Sequence, residues 1–256
     1  MRQRQKRKHG LYKTYYENDQ QLSEENYNDG MLEGKWTEWY ENGQIDSVVH
    51  HKDGKNDGKF TVWHQNGQVY YEQYWEDGKK NGLSTVWDEF GQKVESKNYK
   101  DDKLNGKSVE WNKDNQIESK STYKDGSLVG ISYFSYHINA QVKTKESYDL
   151  LNKRDGNWIK FYQNGQIESE SNYKNDLLNG DAAFWYQSGQ KFSEGNYLDG
   201  KSNNNWTWWN KKGQKTEEKS FKNGELISKT ILKYSFITGR LKSEKKYKDD
   251  KCVSGC

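Results

Sequence analysis

The sequence predicts an all-β fold, an elongated single-layer array of about ten β-hairpin repeats, and three observations predict it. A phrase built of an aromatic, a turn dipeptide and Gln recurs along the chain: "YENGQI" at 40–45, "WHQNGQV" at 63–69, "FYQNGQI" at 161–167 and "WYQSGQK" at 185–191. Aromatic residues make up 15% of the chain, half of its 30% hydrophobic content, so any core must be built largely from Trp and Tyr. Proline, which removes a donor from a paired strand, is absent from all 256 residues.

Aligned on the Gln of the phrase, the copies fall at Gln20, Gln44, Gln68, Gln92, Gln116, Gln141, Gln166, Gln190 and Gln214, with Arg240 in the tenth, at spacings of 24 to 26 residues. A period this regular marks a repeat architecture and precedes any division into domains. Five residues before the Gln stands an aromatic: Tyr15, Trp39, Trp63, Trp87, Trp111, Tyr136, Phe161, Trp185 and Trp209. Seven residues after it stands a second column: Tyr27, His51, Trp75, Tyr99, Tyr123, Tyr148, Tyr173, Tyr197, Phe221 and Tyr247. Each unit therefore reads as two short strands around the Asn-Gly bend. A second turn, expected to be looser, links units, as in "KDGKNDG" at 52–58 and "EDGKKNG" at 76–82. Glycines interrupt the chain too often for helices. Twenty short strands follow, with a length on the order of 90 to 100 Å at the usual strand spacing.

The bend fixes which side chains share a face. A two-residue turn would put Trp39 with Asp46, Val48 and His50, a face too polar for a core in the equivalent units. A three-residue loop with Gly43 in the left-handed region instead sets Trp39 with Ile45, Ser47, Val49 and His51. Leu22, Val94, Phe192 and Thr216 lie one place later than Ile45 does, which suggests a different loop in those units. The opposite face would then carry Trp36, Tyr40 and a recurrent Glu four residues after the Gln, flanked by threonines such as Thr61 and Thr207. It is either a solvated face or a mixed aromatic and charged binding surface. The candidate partner-facing residues are Trp36, Tyr40, Glu72, Tyr162, Glu170, Tyr186 and Glu194.

Residues 1–10, with Arg2, Arg4, Lys6, Arg7 and Lys8, read as a basic disordered tail, 11–250 as the array and 251–256 as a short C-terminal tail. Net charge is only +3, and 38 acidic residues nearly balance 41 basic ones, so no basic stripe points to nucleic acid. No apolar run is long enough to span a bilayer and the basic start lacks an apolar signal region, which reads as cytoplasmic. Cys252 and Cys256 read as incidental; a redox or metal pair is the alternative. An enzyme needs an idiosyncratic cluster, whereas His9, His50, His51, His64 and His137 are scattered without metal-ligand spacing. The Asp-Gly segments are accounted for as turns and lack the terminal Glu of a calcium loop. Neither catalysis nor a cofactor is expected.

The Gly-x-Trp strand at Gly34–Trp36, the aromatic-x-Asn-Gly bend at Tyr40–Gly43, Glu72 and Glu170 in second strands, and the aromatic before Asp-Gly at Tyr123–Gly126 resemble the MORN-repeat variant of the bacterial YwqK-type antitoxin family. The resemblance covers nearly all of residues 11–250. It implies a non-catalytic protein that binds and neutralises a cognate toxin by occlusion along the sheet. MORN repeats more widely imply a membrane-associated or structural scaffold, the second reading. Ala140 and Asn115 depart from the pattern where the bend Gly stands, which would weaken those turns or mark functional units.

Overall fold

The structure, a computed structural model, describes residues 7–248 and 251–256. It is all-β, and ten hairpins account for twenty of its strands. The chain divides into two compact units between Val129 and Gly130. The first contains the hairpins Gly10–Tyr15 with Gln21–Asn28, Gly34–Trp39 with Ile45–Lys52, Gly58–Trp63 with Val69–Glu76, Lys79–Trp87 with Lys93–Lys100, and Lys103–Trp111 with Ile117–Lys124. In the second, most of Ser127–Tyr136 pairs with Val142–Tyr148. It is followed by Gly156–Phe161 with Ile167–Lys174, Leu177–Trp185 with Lys191–Leu198, Lys201–Trp209 with Lys215–Lys222, and Glu225–Tyr234 with Leu241–Lys248. Met31–Leu32 and Lys55–Asn56 are short lead-ins to the strands that follow them, and Lys251–Ser254 adds a last short strand beside Leu241–Lys248. Of the N-terminal basic residues, Arg2, Arg4 and Lys6 lie outside the described residues, while Lys8 Nζ sits 5.0 and 4.6 Å from the ring centres of Tyr12 and Tyr27.

The Asn-Gly bend is a three-residue loop. Gly43 N–H donates to Tyr40 O and Tyr40 N–H to Gln44 O, both at 2.8 Å, with Gly43 at φ 82°. Trp39 accordingly lies opposite Ile45. A second irregularity follows at once: Glu38 lies opposite Ser47, so Asp46 is left over as a bulge. All ten hairpins skip the equivalent residue, which corrects the expectation of a different loop in some units. Leu22, Val94, Phe192 and Thr216 are themselves the bulged residues.

The bulge changes the faces. Beyond it, Ser47, Val49 and His51 lie on the side of Glu38 and Trp36, because a one-residue slip exchanges the two sides of a strand. Trp39 keeps Ile45 but shares its face with Thr37 and Val48. The two aromatic columns, expected together, are therefore on opposite faces. Trp36 and His51 rings lie 5.7 Å apart on what is the inner face. That face also buries Gln73, Ser84, Ser108, Ser119, Ser121, Ala182, Ser193 and Trp206. Trp206 is 5% exposed, lies 5.0 Å from the ring of Tyr197 and donates its indole N–H to Asn196 O at 3.1 Å. Its ring lies directly over Gly195. Serine hydroxyls fill the narrow places, as where Ser119 Oγ donates to Glu110 at 2.8 Å.

The linking turn, expected to be the looser one, is the tighter. Asp53 and Gly54, at φ 51° and 79°, form a two-residue turn with Lys52 opposite Lys55, the mirror-image type that suits strand twist. Asp-Gly supplies two left-handed residues, whereas the Asn of Asn-Gly stays right-handed in the bend. Between the sixth and seventh hairpins Leu150, Leu151 and Asn152 replace it with a three-residue loop, closed by Asn152 N–H to Asp149 O at 3.2 Å.

Candidate functional site

The outer face is built from two rows. First strands contribute Trp39, Trp63, Trp87, Trp111, Phe161, Trp185 and Trp209, each opposite the residue just after the Gln. Second strands contribute the glutamates, which the bulge brings to the tryptophan side. Glu72 stands between Thr61 and Thr85, and Glu194 pairs with Thr207. Lysines complete the surface: Lys13 Nζ lies 2.9 Å from Glu24 and Lys215 Nζ 2.6 Å from Glu218, and Lys59 and Lys191 pair with Glu72 and Glu194. Lys191 also stands 5.9 Å from the ring centres of both Trp185 and Trp209, so the cation bridges two plates of the row. Asn157 Nδ2 donates to Glu170 at 2.7 Å, where no lysine faces the carboxylate across the pair. The result, in each compact unit, is a face on which half-buried indoles stand beside ion pairs.

The seven residues singled out from the sequence fall into three environments. Glu72, Glu170 and Glu194 lie on this outer face. Trp36 lies on the inner one. Tyr40, Tyr162 and Tyr186 stand at the bends, and their hydroxyls donate to the carbonyls of Trp63, Trp185 and Trp209 at 2.5, 2.7 and 3.0 Å. Burial and the nearby Asp46 push the Tyr40 hydroxyl up to about 12.

The sequence reading missed that the bend phrase links successive hairpins. The tyrosine rung has histidine equivalents: His64 Nε2 donates to Trp87 O at 3.2 Å and His137 Nε2 to Phe161 O at 2.8 Å. Asparagine adds a second rung. Asn42 Oδ1 accepts from Gln44 N in its own bend, while Nδ2 reaches Gln65 O in the next at 3.2 Å; Asn164 Nδ2 does the same to Gln187 O at 2.9 Å. The available signal was the side-by-side recurrence of Tyr or His with Asn-Gly, which turn chemistry alone does not require. Among the described residues no group of three or more His, Cys, Asp or Glu is placed to hold a metal, and Cys252 and Cys256 form a disulfide. Among the described residues no helix is long and apolar enough to cross a membrane.

The family described as MORN repeat variant matches residues 8–29, 32–53, 56–77, 104–125 and 154–175. No curated protein matches the chain. Solved structures with a detectable likeness include the crystal structure of TcdB2-TccC3-Cdc42, at 12% identity and a TM-score of 0.32 over 91% of this chain and 15% of that one. The Photorhabdus luminescens Tc holotoxin pore with the TccC3-D651A mutation has 11% identity and a TM-score of 0.30 over 87% of this chain and 14% of that one. The chain thus spans about a seventh of the length of these proteins. A likeness of this size carries nothing about function.

Proposed function

We infer, from a chain that carries MORN-variant repeats, that this protein acts by binding and not by catalysis, and that its ligand is another protein. The observation that supports the reading is the outer strip, where half-buried tryptophans recur beside Glu72, Glu170 and Glu194 and their lysine or asparagine partners. Tryptophan is the residue type most enriched among the side chains that dominate protein interfaces. The glutamate recurs in the seventh to tenth hairpins as Glu170, Glu194, Glu218 and Glu244 and in the first and third as Glu24 and Glu72, a pattern that suits a partner lying along several successive hairpins. Following the YwqK-type resemblance, the partner is a cognate toxin whose working surface the array covers.

The test is affinity capture with the tagged full chain from its native lysate, followed by co-expression of the captured protein with and without the chain. A stoichiometric protein whose toxicity is relieved by co-expression is expected. Replacing Glu72→Lys together with Glu194→Lys, which sets like charges beside Lys59 and Lys191, is expected to weaken capture about tenfold or more, with an unchanged far-UV spectrum. Capture of no stoichiometric protein would overturn the reading; capture of one without toxicity would remove the antitoxin role alone.

A further inference from the structure

In the second unit the tyrosine rung closes the space between successive bends on the outer face at Tyr162 and Tyr186. The ninth hairpin carries Asn210 at the equivalent position. Its side chain is too short to reach the next hairpin and turns back on its own bend: Oδ1 accepts from Lys212 N at 2.9 Å and Gln214 N at 3.1 Å, and Nδ2 donates to Gln214 Oε1 at 2.9 Å. Gln214 bridges to Gly239 O at 2.7 Å at the margin. Between the ninth and tenth hairpins an open cleft of about 520 Å³ remains, lined by apolar Leu232, Tyr234 and Phe236 and by Lys211 and Lys212 of the ninth bend.

No carboxylate lines this cleft, and among the described residues neither Lys211 nor Lys212 has an ion-pair partner. The outer-face lysines of the eighth and ninth hairpins, Lys191 and Lys215, are by contrast neutralised by glutamates. Lys212 Nζ stands 5.1 Å from the Phe236 ring centre, and Phe236 and Ile237 on the rim are 90% and 92% exposed. Uncompensated cations on the bend, with Lys212 against Phe236 and Lys211 Nζ 5.8 Å from the Tyr186 ring centre, beside an aliphatic and aromatic floor match a chain that alternates carboxylates with apolar side chains. A nucleic-acid backbone would satisfy the charges and leave Leu232 and Ile237 unmatched.

We propose that this cleft, opened by the tyrosine-to-asparagine change in the ladder, docks an acidic segment of the partner protein with aromatic or aliphatic residues between its carboxylates. The proposal rests on the protein-binding reading above and names the part of the partner that is recognised.

The probe is an equimolar pool of labelled decapeptides in which Glu or Asp alternates with Phe, Tyr or Leu, titrated by fluorescence anisotropy with the full chain. Saturable binding is expected, weakening about tenfold between low and physiological salt as exposed charges are screened. Asn210→Tyr restores the rung and leaves every charge in place; it is expected to weaken binding about tenfold or more and to raise the thermal midpoint. Lys211→Glu with Lys212→Glu is expected to abolish binding without changing the far-UV spectrum, and decides the matter if Asn210→Tyr fails to fold. Absence of binding by the acidic pool, equal binding by wild type and Asn210→Tyr, or equal binding of a lysine-containing pool or of oligothymidine would each overturn the proposal. Lysate capture separates the two readings. Capture undiminished in both variants overturns the cleft and leaves protein binding standing, whereas capture of nothing by the wild type removes protein binding and the titration still decides the cleft.

Discussion

Ala140 holds φ 63° at the bend of the sixth hairpin, where the seventh has Gly165 at φ 82°. A side chain in the left-handed region costs about 1 kcal/mol or somewhat more, so Ala140→Gly is expected to stabilise the chain by about 1 kcal/mol in urea unfolding. That cost was legible in the sequence, because the aligned glycines name the conformation the position must adopt. Gly195 is the opposite case. Its backbone is ordinary, but a Cβ there would meet the Trp206 ring at 2.1 Å, and nothing in the local sequence announces an indole from the neighbouring strand. Gly195→Ala is expected to destabilise by about 1 to 3 kcal/mol through overpacking, with a red shift in tryptophan emission if Trp206 is displaced to water. His51 was placed correctly in its column and wrongly on the Trp39 face; at 8% exposure its burial holds the imidazole below the ordinary histidine value. The unfolded chain therefore takes up a proton first as pH falls. Its stabilising contribution is complete above the ordinary histidine range and is lost as pH drops through that range toward the depressed folded value. His51→Tyr, the residue used at Tyr99 and Tyr123, is expected to flatten the decline of the thermal midpoint between about pH 7 and 5.

At the scale of the hairpin, the three-residue loop could be reasoned from side-chain patterning and the neighbouring bulge could not. Loop chemistry is local: Gly43 tolerates φ 82° and the Asn42 side chain caps Gln44 N–H. The bulge is occupied by Leu22, Asp46, Tyr70, Val94, Glu118 and Lys143 in the first six hairpins, a set with no common chemistry. It is set by the pairing of whole strands, and it moved the glutamates four residues after the Gln, Glu72, Glu170 and Glu194 among them, to the tryptophan side. The candidate site was therefore only half legible, its acidic members correctly grouped with each other but wrongly with Trp36. Tyr40 illustrates the same limit, since an exposed-looking phenol at a bend proves to bond the following hairpin. Tyr40→Phe removes that hydrogen bond and leaves the Trp63 carbonyl to water. A loss of about 0.5 to 1.5 kcal/mol is expected, with faster amide exchange concentrated in the bends around Gly43 and Gly67. Uniform acceleration over the hairpins of the first unit would show that the rung is not a local tie.

At the scale of the chain, the repeat number and period were readable because ten copies average out every local irregularity. Such repetition has a thermodynamic consequence. Among the described residues few side chains are buried, and apart from Ala182 and Trp206 those that are belong to polar residues, so no central apolar core gathers either unit. Stability comes from each hairpin lying against its neighbours, in which case one period can be removed without abolishing the rest. Deleting Ile45–Gln68 joins Gln44 to Val69 and keeps the phase of the repeat. Trp39 then faces Val69, as Trp63 does now, and the Tyr40 hydroxyl, which now reaches Trp63 O, meets the carbonyl of Trp87 in the following first strand. The inner face stays aromatic, with Trp36 replacing Phe60 opposite Gln73. The shortened protein is expected to retain its β-sheet far-UV spectrum and to unfold reversibly, with the urea dependence attributable to the first unit lower by about a fifth because that much less surface is exposed. A deletion of twelve residues from the same place, Ile45–Asn56, puts the bends out of phase and joins Gln44 to Asp57, so neither rung has a carbonyl to meet; that variant is expected to lose cooperative unfolding. If the full-period deletion is as damaging as the half-period one, the hairpins depend on their particular neighbours and not on the shared ladder of Tyr, His and Asn.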